Sequence, residues 1–336
     1  MPGWLSSLFQ NLCKQKVSAL SQAITLVENI HPKKKQNARM LMSWVVKELS
    51  ERQKSSRDPI SLRIGLTGPP GAGKSTFIES FGTHLTSKSH RVAVLAVDPS
   101  STRTGGSIMA DKTRMFKLSQ NPLAYIRPSP TSGCLGGVTR TTADAILLCE
   151  AAGFDVVIVE TVGVGQSEQA VAEMVDIMTL LIPPASGDEL QGLKMGILEA
   201  ADIILITKSD GNLAPECRRI AGDYKSALKI IRKSTDRCNW IPKVKTVSSR
   251  TGEGIDVYYS LLNEFKSFSL AQNTFNRRRA SQRYLLTRRI AEDQLLEMFW
   301  RNELVVRQLK SMQSLVSESQ LSPSNAADEL LKSFVK

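Results

Sequence analysis

The sequence is poor in the residues that bind metals or form covalent cross-links. It has three histidines, none paired at the spacing of a metal site, and five scattered cysteines without a C-x-x-C pair. Cysteines that are odd in number and scattered favour reduced thiols over a disulfide framework or a zinc site. No apolar run approaches the roughly 18 to 20 residues of a membrane span. We therefore expect a soluble protein without a structural metal.

Acidic residues are also under-represented, at 32 against 44 lysines and arginines in a chain of 336 residues. The basic residues gather in "HPKKK" at 31–35 and in the stretch Asn276–Arg289. Neither cluster carries the interleaved aromatic residues of a single-strand binder. We interpret both as solvated helix faces and predict neither a nucleic-acid nor a membrane partner.

A phosphate-binding loop is the strongest motif present. Residues 64–76 read "IGLTGPPGAGKST" and match G-x-x-x-x-G-K-[ST], with an apolar strand before the motif and a helix after it. Backbone N–H groups of such a loop bind phosphate oxygens, the lysine reaches the β- and γ-phosphates, and the serine hydroxyl ligates Mg²⁺. An ordinary Gly-Pro turn is the alternative, which the full match disfavours. The predicted nucleotide-binding residues of the loop are Gly68, Pro69, Pro70, Gly71, Ala72, Gly73, Lys74, Ser75 and Thr76.

A second motif predicts which nucleotide base the site binds, and we call it the base-selecting motif. "ILITKSDGN" ends an apolar run with Thr207, Lys208 and Asp210, in the [NT]-K-x-D form. A carboxylate at Asp210 can accept hydrogen bonds from guanine N1–H and from its N2 amino group, which adenine does not present in that arrangement. The next apolar run ends in "VSSRTGEG", whose backbone is predicted to contact the guanine oxygen. The residues predicted in that loop are Ser248, Ser249 and Arg250.

Acidic residues at other strand ends predict a metal and switch region. In "DVVIVETVGVGQSE", Glu160 is predicted to hold Mg²⁺ through a water, and the N–H of Gly163 to sense the γ-phosphate. Asp98 ends another apolar run, and Asp111 follows it in a loop as a further ligand or water-positioning group. Gln166 either positions the attacking water or begins a helix. Helix N-capping is the alternative role for the two aspartates.

Apolar runs of strand length alternate with helical segments, which predicts an α/β fold with a doubly wound, mostly parallel sheet. Helical periodicity on both sides of His31-Pro32 predicts an N-terminal helical hairpin, and strand signals stop near Phe275. We predict three parts: an N-terminal helical extension (1–58), a P-loop GTPase domain (59–270) and a C-terminal helical arm (271–336).

Longer motifs are far more specific than the phosphate-binding loop. In order along the chain, they are "VDPSS", "GGSIMADKTRM", "RPSPTSGCLGGVTRTT", "ETVGVGQSE", "GDELQGLKMGI" and "TKSDG". Together with "GPPGAGKST", in this order and spacing, they closely resemble the MeaB/ArgK-type G proteins. The resemblance covers almost the whole chain.

This resemblance implies a GTPase that is a chaperone of methylmalonyl-CoA mutase. Such a protein gates the loading of adenosylcobalamin from the adenosyltransferase, and it protects or reactivates the mutase. The family's pattern makes Lys74, Asp111 and Glu160 candidate catalytic residues, to which Gln166 is added by its position after Gly163, and Mg²⁺ is held by Ser75, Asp98, Asp111 and Glu160. It also implies an additional switch loop at 183–197, where the coupling residues are Asp188, Glu189, Gln191 and Lys194.

The resemblance further implies a homodimer formed through the C-terminal arm, and a location in the mitochondrial matrix. A cytoplasmic location is the alternative if the protein is bacterial or no targeting segment functions. Residues 1–27 contain lysines but no acidic residue, which is only weakly compatible with a targeting segment. A small-molecule kinase and a metal-delivery GTPase are the rival functions. No acceptor-site motif supports the first, and no His- or Cys-rich tract supports the second.

Overall fold

A seven-stranded parallel sheet organises the part of the chain that the structure describes. The structure, a computed structural model, describes residues 3–29, 31–56, 58–98, 115–130, 135–161, 167–184, 195–231 and 240–335. The strands are β1 (Leu62–Thr67), β2 (Val92–Asp98), β3 (Ala124–Pro130), β4 (Val156–Thr161), β5 (Ile177–Ile182), β6 (Ile203–Ile206) and β7 (Lys243–Thr246). Their order in the sheet is β3-β2-β4-β1-β5-β6-β7, and every neighbouring pair is parallel.

Helices precede, connect and follow the strands. They are α1 (Gly3–Cys13), α2 (Val17–Val27), α3 (Pro32–Lys54), α4 (Lys74–Ser87), α5 (Phe116–Ser119), α6 (Leu135–Ala151), α7 (Ser167–Ala172), α8 (Met195–Ala200), α9 (Ala214–Ile231), α10 (Ile255–Ala271), α11 (Thr274–Arg301), α12 (Glu303–Ser317) and α13 (Pro323–Val335). None of the helices in the described ranges is long and apolar enough to cross a membrane.

The doubly wound parallel sheet is confirmed, and β1 has the bounds that the sequence predicts. Sequence analysis missed β3, whose segment "AYIRPSP" has only a short apolar alternation and two prolines. Proline is tolerated in an edge strand because one side of that strand needs no ladder hydrogen bonds. β3 is such an edge strand, since among the strands that the structure describes it pairs only with β2.

Helices cover both faces of the sheet. On one face, α1, α2 and α3 pack with α6 over residues of β2 and β4 in a single apolar core. The predicted hairpin corresponds to α2 and α3, and α1 adds Leu5, Leu8 and Leu12 to the same core, all of them buried. On the other face, α4 and α10 form a core in which Phe77, Phe81 and Tyr258 are in aromatic contact.

A buried charge cluster lies at the amino edge of the strands, and we call Arg63, Glu150, Asp176 and Arg279 the amino-edge cluster. Arg279, from α11, donates from Nε and Nη2 to the two carboxylate oxygens of Asp176, both at 2.7 Å. Arg63 donates from Nε and Nη2 to Glu150 at 2.7 and 2.8 Å, and its backbone N–H donates to Asp176 at 2.8 Å. The solvated-face interpretation of Asn276–Arg289 is therefore wrong for Arg279, which is only 8% exposed.

The amino-edge cluster lowers the pKa of the Glu150 carboxyl. Burial alone would raise this pKa, but the charge and hydrogen bonds of Arg63, the charge of Arg279 and the hydrogen bond from Ser61 together outweigh burial. The carboxylate of Glu150 therefore stays ionised inside the fold.

The chain divides into two compact units, 1–283 and 284–336. The first unit contains the sheet. The second has a small core of its own, formed by Val305, Met312, Ala326 and Leu330 from α12 and α13. Asn302 caps α12, because its side-chain oxygen accepts hydrogen bonds from the N–H groups of the next helical turn.

Candidate nucleotide-binding site

The phosphate-binding loop connects β1 to α4 at the carboxyl edge of the sheet. Residues 68–73 form the loop, and Lys74, Ser75 and Thr76 form the first turn of α4. Gly68 must be glycine here, because a Cβ atom would overlap the carbonyl oxygen of Leu181. Gly73 has φ of 85° and caps α4, a left-handed conformation that glycine adopts without strain. The first N–H groups of α4 lack partners within their own helix, which suits the site to a phosphate.

Lys74 is folded back over its own loop. Its Nζ donates to the carbonyl oxygens of Gly68 at 2.7 Å and Pro69 at 3.2 Å. Burial lowers the pKa of the ammonium group, while the negative charges of Glu160 and Glu168 oppose that effect. The cation is thus held at the phosphate-binding loop by two backbone oxygens.

Ser75 and Glu160 meet beside the loop. The Ser75 hydroxyl donates to Glu160 Oε1 at 3.2 Å, across the 85 residues that separate them in the chain. Glu160, the penultimate residue of β4, is only 8% exposed. A hydroxyl and a carboxylate are the hard oxygen ligands that Mg²⁺ prefers, so this pair fits the predicted ion.

The base-selecting motif is joined to the phosphate-binding loop. Thr207 follows β6 and donates from its hydroxyl to the carbonyl oxygen of Ala72 at 2.8 Å. Lys208 is exposed and has φ of 57°, an uncommon value for a residue with a side chain. Both motifs therefore belong to one site.

Asp210 is held from the neighbouring loop. Ser248 is fully buried, and its hydroxyl donates to Asp210 Oδ1 at 2.8 Å while accepting from the N–H of Thr251 at 3.2 Å. Ser249 is half-buried beside it, and Arg250 is exposed. The sequence predicted that this loop contributes to the site but missed that Ser248 orients the Asp210 carboxylate. No sequence signal could have found this contact, because it depends on β6 and β7 being neighbours in the sheet.

The structure describes only the backbone of one predicted site residue, and seven others lie outside the described ranges. Asp98 ends β2, next to the carboxyl end of β4, and nothing is described of its side chain. The predicted residues outside the described ranges are Asp111, Gly163, Gln166, Asp188, Glu189, Gln191 and Lys194. Glu168 was not predicted: it lies in the first turn of α7, is only 2% exposed, and acts electrostatically on Lys74.

Comparison with known proteins decides the family. The profile described as "Methylmalonyl Co-A mutase-associated GTPase MeaB" matches residues 20–304. The chain belongs to the MeaB family. It is accordingly a P-loop GTPase, as the phosphate-binding loop and the fold already indicate.

Similar proteins come from animals and bacteria. The mouse protein named methylmalonic aciduria type A homolog, mitochondrial, is 48% identical over 98% of this chain and 80% of its own length. The GTPase ArgK of Escherichia coli is 40% identical over 97% of this chain and 95% of its own length. A crystal structure of a LAO/AO transport system kinase aligns with a TM-score of 0.76 and 34% identity, covering 100% of this chain and 99% of that one.

Proposed function

We propose that this GTPase is a chaperone of methylmalonyl-CoA mutase. It would gate the loading of adenosylcobalamin, and it would protect the mutase or reactivate it when the cofactor is damaged. The observation that carries the proposal is membership of a family described as mutase-associated GTPases, over residues 20–304. The mouse relative, whose name refers to methylmalonic aciduria, supports it further.

In this proposal the chain binds GTP with Mg²⁺ at the carboxyl edge of the sheet. Ser75 and Glu160 would hold the ion, joined by Asp98 and Asp111, and the ion would neutralise charge on the β- and γ-phosphates. Lys74 would leave the carbonyl oxygens of Gly68 and Pro69 and bind the phosphates instead. Hydrogen-bond strength supports this change of partners. The ammonium group of Lys74 would give up two neutral carbonyl acceptors for charged phosphate oxygens, which accept stronger hydrogen bonds.

Hydrolysis would then proceed by attack of water on the γ-phosphorus, with cleavage of its bond to the oxygen that bridges the β-phosphate. Gln166 or Asp111 would position the water, and the N–H of Gly163 would sense the γ-phosphate. Asp210, oriented by Ser248, would accept from N1–H and the N2 amino group of guanine, and the stem of Lys208 would cover the base.

The loop at 183–197 would couple the bound nucleotide, GTP or GDP, to the interaction with the mutase. Asp188, Glu189, Gln191 and Lys194 are the coupling residues in this proposal. The loop follows β5, whose carboxyl end adjoins β1 and the phosphate-binding loop. A cobalamin adenosyltransferase would be a further partner, because it would supply the cofactor that the GTPase gates.

We also propose a homodimer formed through the C-terminal arm. The unit 284–336 exposes large apolar side chains that its small core does not use. They include Leu295 (56% exposed), Met298 (63%), Trp300 (53%) and Leu331 (54%). A second copy would cover such a surface. Light scattering coupled to size exclusion tests this: the expected mass is twice 37.0 kDa, and a monomer at micromolar concentration would contradict it.

We propose the mitochondrial matrix as the location, by likeness to the mouse relative, which is named mitochondrial. The alternative is the cytoplasm, since E. coli also has a relative. Imaging of the tagged full-length protein in its own cells distinguishes the two.

GTP turnover is the measurement that tests the chaperone function. The purified protein is assayed alone, with apo-mutase and with holo-mutase, using ATP as the control nucleotide and Lys74→Ala as the inactive control. We expect stimulation that needs both GTP and the mutase. If an active mutase left turnover unchanged, the GTPase would stand but the client would be wrong.

A further inference from the structure

A buried thiol lies directly behind the base-selecting turn. Cys217, in the first turn of α9, is fully buried, and its Sγ lies 3.6 Å from the carbonyl oxygen of Thr207 and 3.8 Å from that of Lys208. Both distances are within the range of hydrogen bonds that involve sulfur. The thiol thus contacts two consecutive carbonyl groups of the segment that leads to Asp210.

This segment needs support because of its backbone conformation. Lys208 has a left-handed φ of 57°, a strained conformation for a residue with a side chain, and such a conformation persists only where the surrounding structure holds it in place. Thr207 holds one side of the turn through Ala72, and the N–H of Ser209 donates to Val247 at 3.2 Å. Cys217 supports the other side of the turn, from α9.

The surroundings of Cys217 suit a neutral donor. It lies in an apolar cluster with Ile206, Ile220 and Ala221. Burial, followed by the negative charges of Asp210 and Glu216, raises the pKa of the thiol, so it keeps its proton at neutral pH. A protonated thiol can donate to a carbonyl, whereas a thiolate cannot.

We propose that Cys217 is a positioning residue for guanine recognition. Its single thiol proton is shared between the carbonyl groups of Thr207 and Lys208, and this fixes the direction in which Asp210 leaves the turn. The inference rests on the proposed role of Asp210 in binding guanine. Cys217 itself does not contact the nucleotide; it acts through the backbone.

The test compares Cys217→Ala with Cys217→Ser and with Cys149→Ala. Cys149 is an equally buried cysteine in the core of α6 and serves as the matched control. The affinities for GDP and IDP are measured by displacement of a fluorescent nucleotide. IDP lacks the N2 amino group, so the ratio of the two affinities reports how well Asp210 is placed. Thermal unfolding of each variant is recorded in parallel.

We expect Cys217→Ala to weaken GDP binding by about two- to tenfold and to narrow the preference for GDP over IDP. KM for GTP should rise while kcat stays unchanged, because the contact to the base is made equally in the ground and transition states. Cys217→Ser supplies a hydroxyl donor in place of the thiol, so it should recover part of the preference for GDP over IDP. Cys149→Ala should leave the preference unchanged even where it lowers the melting temperature.

The inference is overturned if Cys217→Ala keeps the wild-type ratio of GDP to IDP affinity, or if the serine variant loses as much as the alanine variant. A further variant distinguishes failure of the Cys217 proposal from failure of the guanine-site assignment. Asp210→Asn should shift the preference of the site from guanine nucleotides towards xanthine nucleotides. If Asp210→Asn left selectivity unchanged, the guanine site itself would be wrongly assigned.

Discussion

Replacing Ser248 by alanine should loosen guanine selectivity without disturbing the fold. The hydroxyl of Ser248 is fully buried and donates to Asp210 Oδ1 at 2.8 Å, so the substitution removes a hydrogen bond to a charged group. Such bonds contribute about 1.5 to 3 kcal/mol. Asp210 is half-buried, and water can replace part of the loss. Without this bond the free Asp210 carboxylate is no longer held in position, and orienting it must be offset by the free energy of binding. We take the low end of the range, about 1.5 kcal/mol, as that cost, which is about tenfold in affinity.

Displacement of a fluorescent nucleotide by GDP and by IDP measures this effect. The GDP affinity should fall about tenfold and the IDP affinity less, because IDP makes one hydrogen bond fewer to Asp210. Ser249→Ala is the matched control: the contact predicted for Ser249 is made by its backbone, which this substitution keeps, so the variant should bind both nucleotides like the wild type. A change of less than about twofold in the GDP affinity of a folded Ser248→Ala protein would refute the role of this hydrogen bond.

Two further predictions concern the phosphates and acid stability. Lys74→Ala should lower GTP turnover by at least about a hundredfold with the secondary structure retained, as judged by circular dichroism; substantial residual turnover would contradict its role at the phosphates. The pKa of Glu150 is lowered in the folded state from its ordinary value of 4.5, so its stabilising contribution is present above that value and is lost as pH falls through the folded pKa. Urea unfolding between pH 7 and pH 3 should show this loss, and Glu150→Gln should flatten the profile.

Local motifs carried most of what the sequence could predict about the site. The phosphate-binding loop and the [NT]-K-x-D motif each consist of adjacent residues whose chemistry depends on a single turn, so the pattern alone located them. The strand before each motif was equally clear because central parallel strands are buried on both faces and appear as continuous apolar runs. β1, β4 and β5 are strands of this kind.

Features that depend on tertiary contacts could not be predicted from the pattern. β3 forms only because an edge position tolerates Pro128, and this needs knowledge of the sheet order. Arg279 looked like one of many surface arginines, yet it pairs with Asp176, 103 residues away in the chain. The contact between Ser248 and Asp210 likewise required β6 and β7 to be neighbours.

The nucleotide site and the amino-edge cluster lie at opposite ends of the strands, so their energies should be independent. Asp176 immediately precedes β5, whereas Ser248 follows the end of β7, and a strand of six residues separates the two edges by about 20 Å. Sites so far apart without shared partners are additive to within about 0.5 kcal/mol.

Arg279→Met tests this independence. It leaves the carboxylates of Asp176 and Glu150 buried with fewer partners, so the free energy of unfolding should fall by about 3 kcal/mol. Arg277→Met, at an exposed position of the same helix, should change it by less than about 0.5 kcal/mol. Arg279→Met should also leave the ratio of GDP to IDP affinity unchanged, and adding Ser248→Ala should give the sum of the two unfolding effects. A coupling well above 0.5 kcal/mol would mean that the strands transmit changes between the arm helix and the base-selecting loops, and the two edges would then have to be treated as one switch.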